Sequence, residues 1–199
     1  MIVGVVPCAG ASVRMGRPKA LLEIEGHTFL SLVTDALRDG GCDRVIVVVP
    51  EDTPLQEAAE AAGAQVITNP DPGEGPITSL RLAIRESGPD TQGVLYHPVD
   101  HPLVLSSSVA AVVQAAKPRP LLVVPMLGNQ RGHPTYFDAQ LFAEFLDPHL
   151  EGGARTVVHR HLDDAVLLSL DDEGIRADID TPALYAEVVE SHTDRPAEA

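Results

Sequence analysis

Ten residues, Gly10-Ala-Ser12-Val-Arg14-Met-Gly16-Arg-Pro-Lys19, gather two glycines, two arginines and a lysine directly behind an apolar run over 2–6. Successive backbone N–H groups in a glycine-containing loop can form a nest for an anion. Arg14 adds a planar fork that matches phosphate oxygens, and Lys19 adds a point charge. The spacing from Gly10 to Gly16, with no Gly-Lys-Ser/Thr behind it, excludes a P-loop, and the dinucleotide fingerprint is absent too. On composition alone, a solvated basic loop is the plain alternative.

A phosphate cradle needs a metal opposite it, and two aspartates qualify. His97-Pro-Val-Asp100-His-Pro102-Leu follows an apolar run, so Asp100 is a carboxylate held rigidly between prolines. Asp178-Ile-Asp180-Thr-Pro182 is a second such segment. Mg²⁺ usually takes one or two carboxylates and completes its octahedron with water and substrate phosphates. Asp100 and Asp180 are therefore candidate metal ligands, although Asp180 equally suits the cap of a helix starting at Pro182. Asn69-Pro-Asp-Pro-Gly-Glu-Gly75-Pro-Ile-Thr-Ser79 opens another helix. Its free N–H groups, with Gly75 permitting close approach, suit a base or ribose. A plain start capped by Thr78 or Ser79 is the competing reading. The eight histidines give no zinc pattern: prolines break the helix that would align His97 with His101, and no Cys–His set has structural-zinc spacing.

Bulk properties agree with local cation placement. Fourteen Lys and Arg against 29 Asp and Glu leave a net charge of −15, which excludes a nucleic-acid binder with a basic face. An acidic chain that handles phosphates must build positive potential from a few cations, amide dipoles and a metal. Hydrophobic residues make up 44% and Trp is absent, so an aliphatic core is expected. Cys8 and Cys42 are too few for a disulfide framework. Cys8 reads as a small buried hydrophobe, with a reactive thiol as the alternative. No basic n-region precedes the first apolar run, and no stretch approaches the roughly 18 apolar residues of a membrane span. A cytoplasmic protein without membrane or nucleic-acid partners is expected.

Strands over 2–6, 44–49, 65–68, 93–96 and 121–125 alternate with helices over 29–37, 55–62, 77–86 and 106–117. Continuous Val/Ile/Leu runs suit strands buried on both faces of a parallel sheet, and the alternation predicts a doubly wound α/β fold. Beyond these lie a strand near 134–137, short helices over 139–146 and 155–161, a strand over 165–170 and a helix over 182–190. One domain over 1–190 and a disordered tail over 191–199 are expected.

Together these segments resemble the MobA-like nucleotidyltransferase family, in its molybdenum cofactor cytidylyltransferase branch. Ala9-Gly10-Ala-Ser12-Val-Arg14-Met15-Gly16-Arg-Pro-Lys19 matches the family's first loop, and Pro98-Val-Asp100-His-Pro-Leu103 its metal motif. Arg131-Gly132-His133-Pro134, Gly153-Ala154-Arg155 and Asp178-Ile-Asp180-Thr-Pro182 follow in order. The resemblance implies a Rossmann-like, mostly parallel sheet with helices on both faces. It further implies transfer of CMP from CTP to the terminal phosphate of molybdenum cofactor, with Mg²⁺, and transient contact with a molybdenum enzyme. By position, Arg14 and Lys19 are catalytic, and Ala9, Gly10, Ser12, Gly75 and Ser79 hold the nucleotide. Gly132 and His133 face the acceptor, and Asp100 and Asp180 hold the metal. Two departures leave alternatives open. Pro7-Cys8 stands where the family has Leu-Ala, and Gly75-Pro76 is similar to the guanylyltransferase branch. GTP as donor, another phosphorylated acceptor such as a sugar phosphate, or a cofactor-binding chaperone without turnover are the other readings.

Overall fold

A computed structural model describes residues 1–10, 15–51 and 53–193. The chain enters through β1 (Ile2–Pro7), forms a small hairpin of β2 (Glu23–Ile24) and β3 (His27–Thr28), and turns into α1 (Phe29–Asp39). Thr28 caps α1 by accepting from the Ser31 N–H at 3.0 Å, and Gly41, at φ +96°, ends it. Next come β4 (Arg44–Pro50), α2 (Leu55–Ala61), β5 (Gln65–Asn69), α3 (Pro76–Glu86), β6 (Gly93–Tyr96) and α4 (Ser106–Ala116). The last part contains β7 (Leu122–Leu127), β8 (Gln130–Arg131), β9 (Thr135–Asp138), α5 (Phe142–Leu146), α6 (Gly153–Arg160), β10 (Val166–Ser169) and α7 (Pro182–Thr193).

One sheet runs β10-β7-β9-β6-β1-β4-β5, with β8 added beside β7. Along that path only β9 is reversed: it pairs antiparallel with β6 and β7, whereas the other neighbours are parallel. The side chains of β4 explain why its sequence is an unbroken apolar run. Val45, Val47 and Val49 enter one core with α1, α2 and α4, while Ile46 and Val48 enter the other with α3, α5 and α6. A strand covered on both faces has no polar side to show.

From β1 the chain winds outward through β4 and β5, then crosses back through α3 to β6 on the other side of β1. The strand order therefore switches between β1 and β6, and the loops beyond their carboxyl ends diverge to leave a crevice. The anticipated α/β class and parallel sheet are those observed.

Local differences have physical reasons. The polar segment after β7 adds a short strand: Gly128, at φ +58°, turns the chain so that Gln130 and Arg131 pair back onto Leu127 and Met126. The start of α4 has no side-chain cap, and the Leu105 N–H just before it donates to the buried Asp172 carboxylate at 3.0 Å. The helix α7 continues to Thr193, three residues beyond its anticipated end, and the rest of the expected tail lies outside the described residues. Among the described residues, no helix is long and apolar enough to cross a membrane.

Candidate active site

The crevice beyond β1 and β6 holds a cavity of about 580 Å³. Cys8, Ala9 and Gly10 enter it from the end of β1, and Pro98, Asp100 and His101 from the end of β6. Gly75 and Ser79, at the start of α3, close a third side.

Lys19 begins a short 3₁₀ turn, Lys19–Leu21, anchored by the buried Ala20 and Leu22. Its ammonium lies 3.4 Å from Asp100 Oδ2 and pairs with Asp180 Oδ1. The two carboxylates, 80 positions apart, meet because the Ile179 N–H donates to the Asp100 carbonyl at 2.8 Å while the Ile179 side chain is buried. Thr181 caps α7 by accepting from the Leu184 N–H, and the Asp180 carboxylate is engaged with Lys19.

Asp100 and Asp180 fit a hard divalent cation. Both converge on one positive charge, and Asp100 Oδ1 is buried with no hydrogen-bond partner among the described residues. No cluster of three or more His, Cys, Asp or Glu side chains among those residues is arranged to hold a metal. A cation here would draw only two protein ligands and take the rest from phosphate and water, as Mg²⁺ and its hard relatives do.

The start of α3 is built for contact through backbone. Gly75 adopts φ +87° and ψ −172°, and no side chain caps the helix. The Thr78 hydroxyl donates to the Gly75 carbonyl at 2.9 Å, so it braces the turn from below. Asn69 donates to the hydroxyls of Thr78 and Ser79, at 2.8 and 3.2 Å, tying the end of β5 to this turn. Neither hydroxyl therefore serves as the amide cap that is the plain reading of this segment. Ser12 and Arg14 lie outside the described residues.

A row of buried rings backs the cavity. His97 and His101 have centroids 6.5 Å apart, His101 and His133 4.9 Å, and Tyr96 and His133 6.1 Å. Burial lowers the basicity of all three imidazoles. His97 is held well below its ordinary value, and nearby His133 and His101 add to the effect. His101 is lowered by burial despite the opposing pull of Asp100 and Asp178. His133 falls to about 3, through burial and then through His101. These are neutral rings at neutral pH, not cations. Burial, reinforced by Asp100, also pushes the Cys8 thiol far up, which fits a small buried hydrophobe and not a nucleophile.

A second cavity of about 700 Å³ adjoins the first and shares Pro76, Tyr96, Pro98 and His133 with it. Gly132 and His133 reach its wall from the turn after β8. There a Cβ on Gly132 would sit 2.5 Å from the Ile175 carbonyl, so only glycine lets the turn dock. The His133 N–H donates to that same carbonyl at 2.8 Å.

The structure thus gathers Ala9, Gly10, Lys19, Gly75, Ser79, Asp100 and Asp180 around one crevice and sets His133 at the wall between two cavities, with Gly132 beside it in the second. Sequence reasoning weighed His101 only as a zinc ligand and passed over Tyr96 and Arg81. His101 was legible in part, as the residue locked between Asp100 and Pro102. Arg81, on the far flank of α3, carried no local signal.

Residues 4–166 match the family described as MobA-like NTP transferase domain. The chain is 36% identical over 133 residues to 2-C-methyl-D-erythritol 4-phosphate cytidylyltransferase of Saccharopolyspora erythraea, covering 63% of this chain and 59% of that protein. It is 34% identical over 116 residues to molybdenum cofactor guanylyltransferase of Rhizobium meliloti, covering 56% and 51%. The chain thus spans between half and three-fifths of the length of these curated relatives. Among solved structures, Rv0371c of Mycobacterium tuberculosis superposes with a TM-score of 0.81 at 28% identity, covering 95% of this chain and 97% of that one. Rv0371c has also been solved in complex with manganese, and that structure superposes with a TM-score of 0.75 at 26% identity over 96% and 98% of the two chains.

Proposed function

Because the chain belongs to the MobA-like NTP transferase domain family, we propose that it is a nucleotidylyltransferase that moves CMP from CTP to the terminal phosphate of molybdenum cofactor. The observation that carries this reading is the pair of cavities sharing one wall, with the Lys19–Asp100–Asp180 cluster in the first. A donor and an acceptor in adjacent cavities meet at that wall. In such a transfer the acceptor phosphate oxygen bonds to the α-phosphorus, the bond from the α-phosphorus to the bridging oxygen breaks, and pyrophosphate leaves. The acceptor is already an anion, so no general base is required, and catalysis reduces to positioning and charge neutralisation.

Lys19 is assigned to the triphosphate together with Arg14, both stabilising charge that develops at the α-phosphate. Ala9, Gly10, Ser12, Gly75 and Ser79 hold base and ribose, largely through backbone groups. Asp100 and Asp180 hold Mg²⁺, which when bound neutralises charge on the phosphate oxygens. Gly132 and His133 present the acceptor, with the neutral His133 ring able to accept or donate one hydrogen bond without adding charge.

The decisive experiment supplies purified protein and Mg²⁺ with each of CTP, GTP, ATP and UTP, and with molybdenum cofactor or 2-C-methyl-D-erythritol 4-phosphate as acceptor. Pyrophosphate release is then measured. Release with CTP and molybdenum cofactor alone supports the reading. Release with GTP would move the chain to the guanylyl reaction of the Rhizobium relative. Release with the erythritol phosphate would favour the second reading, which the 36% identity to that cytidylyltransferase motivates. Tight cofactor binding with no pyrophosphate would leave a carrier.

A further inference from the structure

We propose that the second cavity selects an acceptor joining a flat ring system to at least two separated anionic groups, and that Arg131 and Arg155 are its specificity-determining residues. The inference rests on reading the first cavity as the nucleotide site.

Charge is the first argument. Among the described residues, the lining of this cavity includes Arg81, Arg131, Arg155 and His133 and not one carboxylate, in a chain where acidic residues outnumber basic ones 29 to 14. Arginines elsewhere are mostly engaged: Arg38 with Asp35, Arg119 with Asp138 and Arg160 with Glu144. Arg81 is spent on the scaffold, donating to the Phe145 and Asp147 carbonyls at 2.8 and 2.7 Å and so fixing the segment that brings Leu150 to the cavity. The exposed side chains of Arg131 and Arg155 have no hydrogen-bond or ion-pair partner among the described residues. They arrive from different elements, β8 and α6, at one cavity. Two guanidinium forks with no internal carboxylate are suited to a ligand's anionic group.

The start of α6 adds to this potential. Gly152 and Gly153 take φ +72° and +57°, no side chain caps the helix, and both glycines and Ala154 line the cavity. The first amides of α6 thus open towards the same space as the arginines.

The floor is the second argument. Ile77, Leu80, Val124, Phe137, Leu150 and Val158 make it apolar, and Phe137 is held edge-on by Phe145 at 4.9 Å. A polyol laid on such a floor would leave hydroxyls without hydrogen bonds, a cost that the face of a flat ring system avoids. A volume near 700 Å³ suits a ligand of several fused or linked rings better than a four- or five-carbon phosphate. One anionic group, the reacting phosphate, belongs at the His133 wall. The second belongs to Arg131 and Arg155.

Isothermal calorimetry on the full chain tests this, with the first cavity filled by α,β-methylene-CTP and Mg²⁺. The probes are a naphthalene bearing a phosphate and a sulfonate, naphthyl phosphate, and sorbitol 6-phosphate. The doubly anionic naphthalene is expected to bind about tenfold more tightly than naphthyl phosphate, and that in turn about tenfold more tightly than sorbitol phosphate. Arg131→Gln and Arg155→Gln are each expected to bring the first probe close to the affinity of the second, with thermal unfolding unaltered. Equal binding of the sorbitol phosphate, or affinity undiminished in both variants, would overturn the proposal. If the CTP analogue binds and no naphthalene does, this inference fails while the nucleotide reading stands. If the naphthalenes bind and no nucleoside triphosphate does, the nucleotide reading fails and the cavity's role as an acceptor site is overturned with it.

Discussion

The Lys19 ammonium lies 3.4 Å from the Asp100 carboxylate and pairs with that of Asp180, so both carboxylates converge on it. One cation from the loop after β1 thus balances both proposed metal ligands. A divalent cation at these oxygens must compete with that ammonium, and a triphosphate gives Lys19 another partner. Manganese alone is therefore expected to bind weakly and to bind more tightly once a nucleoside triphosphate is present. Replacing Lys19 with Met should raise the affinity for manganese alone by about tenfold, since a like charge is removed from the site. The same change should lower turnover by roughly 10²–10³-fold, the usual cost of losing one charge stabiliser. Free manganese followed by electron paramagnetic resonance reads the first effect; an affinity equal to that of the unaltered protein would reject the competition.

Gly75 and Gly132 predict two different kinds of damage. At Gly75 an added Cβ meets nothing within 4 Å, so Gly75→Ala is penalised only through its backbone, at φ +87° and ψ −172°. That strain is worth about 1–3 kcal/mol, and nucleotide affinity should fall with it because the turn presents the first amides of α3. At Gly132 the Cβ would sit 2.5 Å from the Ile175 carbonyl, so Gly132→Ala must push the His133 turn away. Acceptor binding, not nucleotide binding, should suffer there. Urea denaturation with parallel ligand titrations separates the two, and a Gly132→Ala protein with intact acceptor affinity would contradict the assignment.

The contrast between these sites shows what a sequence can carry. The runs that became β1, β4 and β6, and the helical face of α1, were legible because burial on both sides of a strand or one side of a helix writes itself into local periodicity. Lys19, Asp100 and Asp180 were legible as unusual residues at strand ends, but their convergence depends on the Ile179–Asp100 backbone bond between distant segments. The second cavity was legible only in pieces: Arg131-Gly132-His133-Pro134 and Gly153-Ala154-Arg155 stood out as segments. Its wall comes from α3, β7, β8, β9 and α6, and no window of sequence shows that three arginines face it with no carboxylate among the described residues. The β8 pairing was missed for a related reason: two polar residues in an exposed edge hairpin have no hydrophobic pattern to announce them.

His133 should not appear in the pH dependence of turnover near its ordinary value, because burial and His101 hold it at about 3. Its imprint belongs on stability. The unfolded chain binds a proton at His133 as pH falls through 6.5, whereas the folded chain resists until about 3. Stability therefore declines with falling pH across that window. Between pH 7 and pH 5 one such imidazole accounts for about 1–2 kcal/mol of loss. In His133→Gln that share of the decline should vanish, while the shares of His97 and His101 remain. Urea midpoints at both pH values provide the check, and an equal decline in variant and parent would refute the assignment.

Asp138 at the end of β9 is wholly buried, yet charged, because donors surround it. Arg119 reaches it with Nε and Nη2 at 3.0 and 3.1 Å, the Tyr136 hydroxyl donates at 3.1 Å, and Gln140 donates through its backbone at 3.0 Å and its side chain at 3.1 Å. Burial alone would raise this carboxyl, but those hydrogen bonds prevail and hold it below its ordinary value. A depressed acid stabilises the fold above its unfolded value of 3.8 and loses that contribution as pH falls through the lower, folded one. Asp138→Asn keeps the shape but removes the charge that pairs with the guanidinium and turns one acceptor into a donor. It should cost about 2–4 kcal/mol at neutral pH, since buried donors are left poorly paired. Arg119→Met should cost less, because Arg119 is 46% exposed and water replaces part of what it loses. Since Asp138 closes the strand that carries Phe137 to the second cavity, its loss acts on folding and leaves the Lys19 cluster untouched. Nucleotide affinity measured well below the melting temperature should match that of the parent protein. A stable Asp138→Asn protein, or one that loses nucleotide binding while still folded, would show that this carboxylate does something other than anchor the sheet.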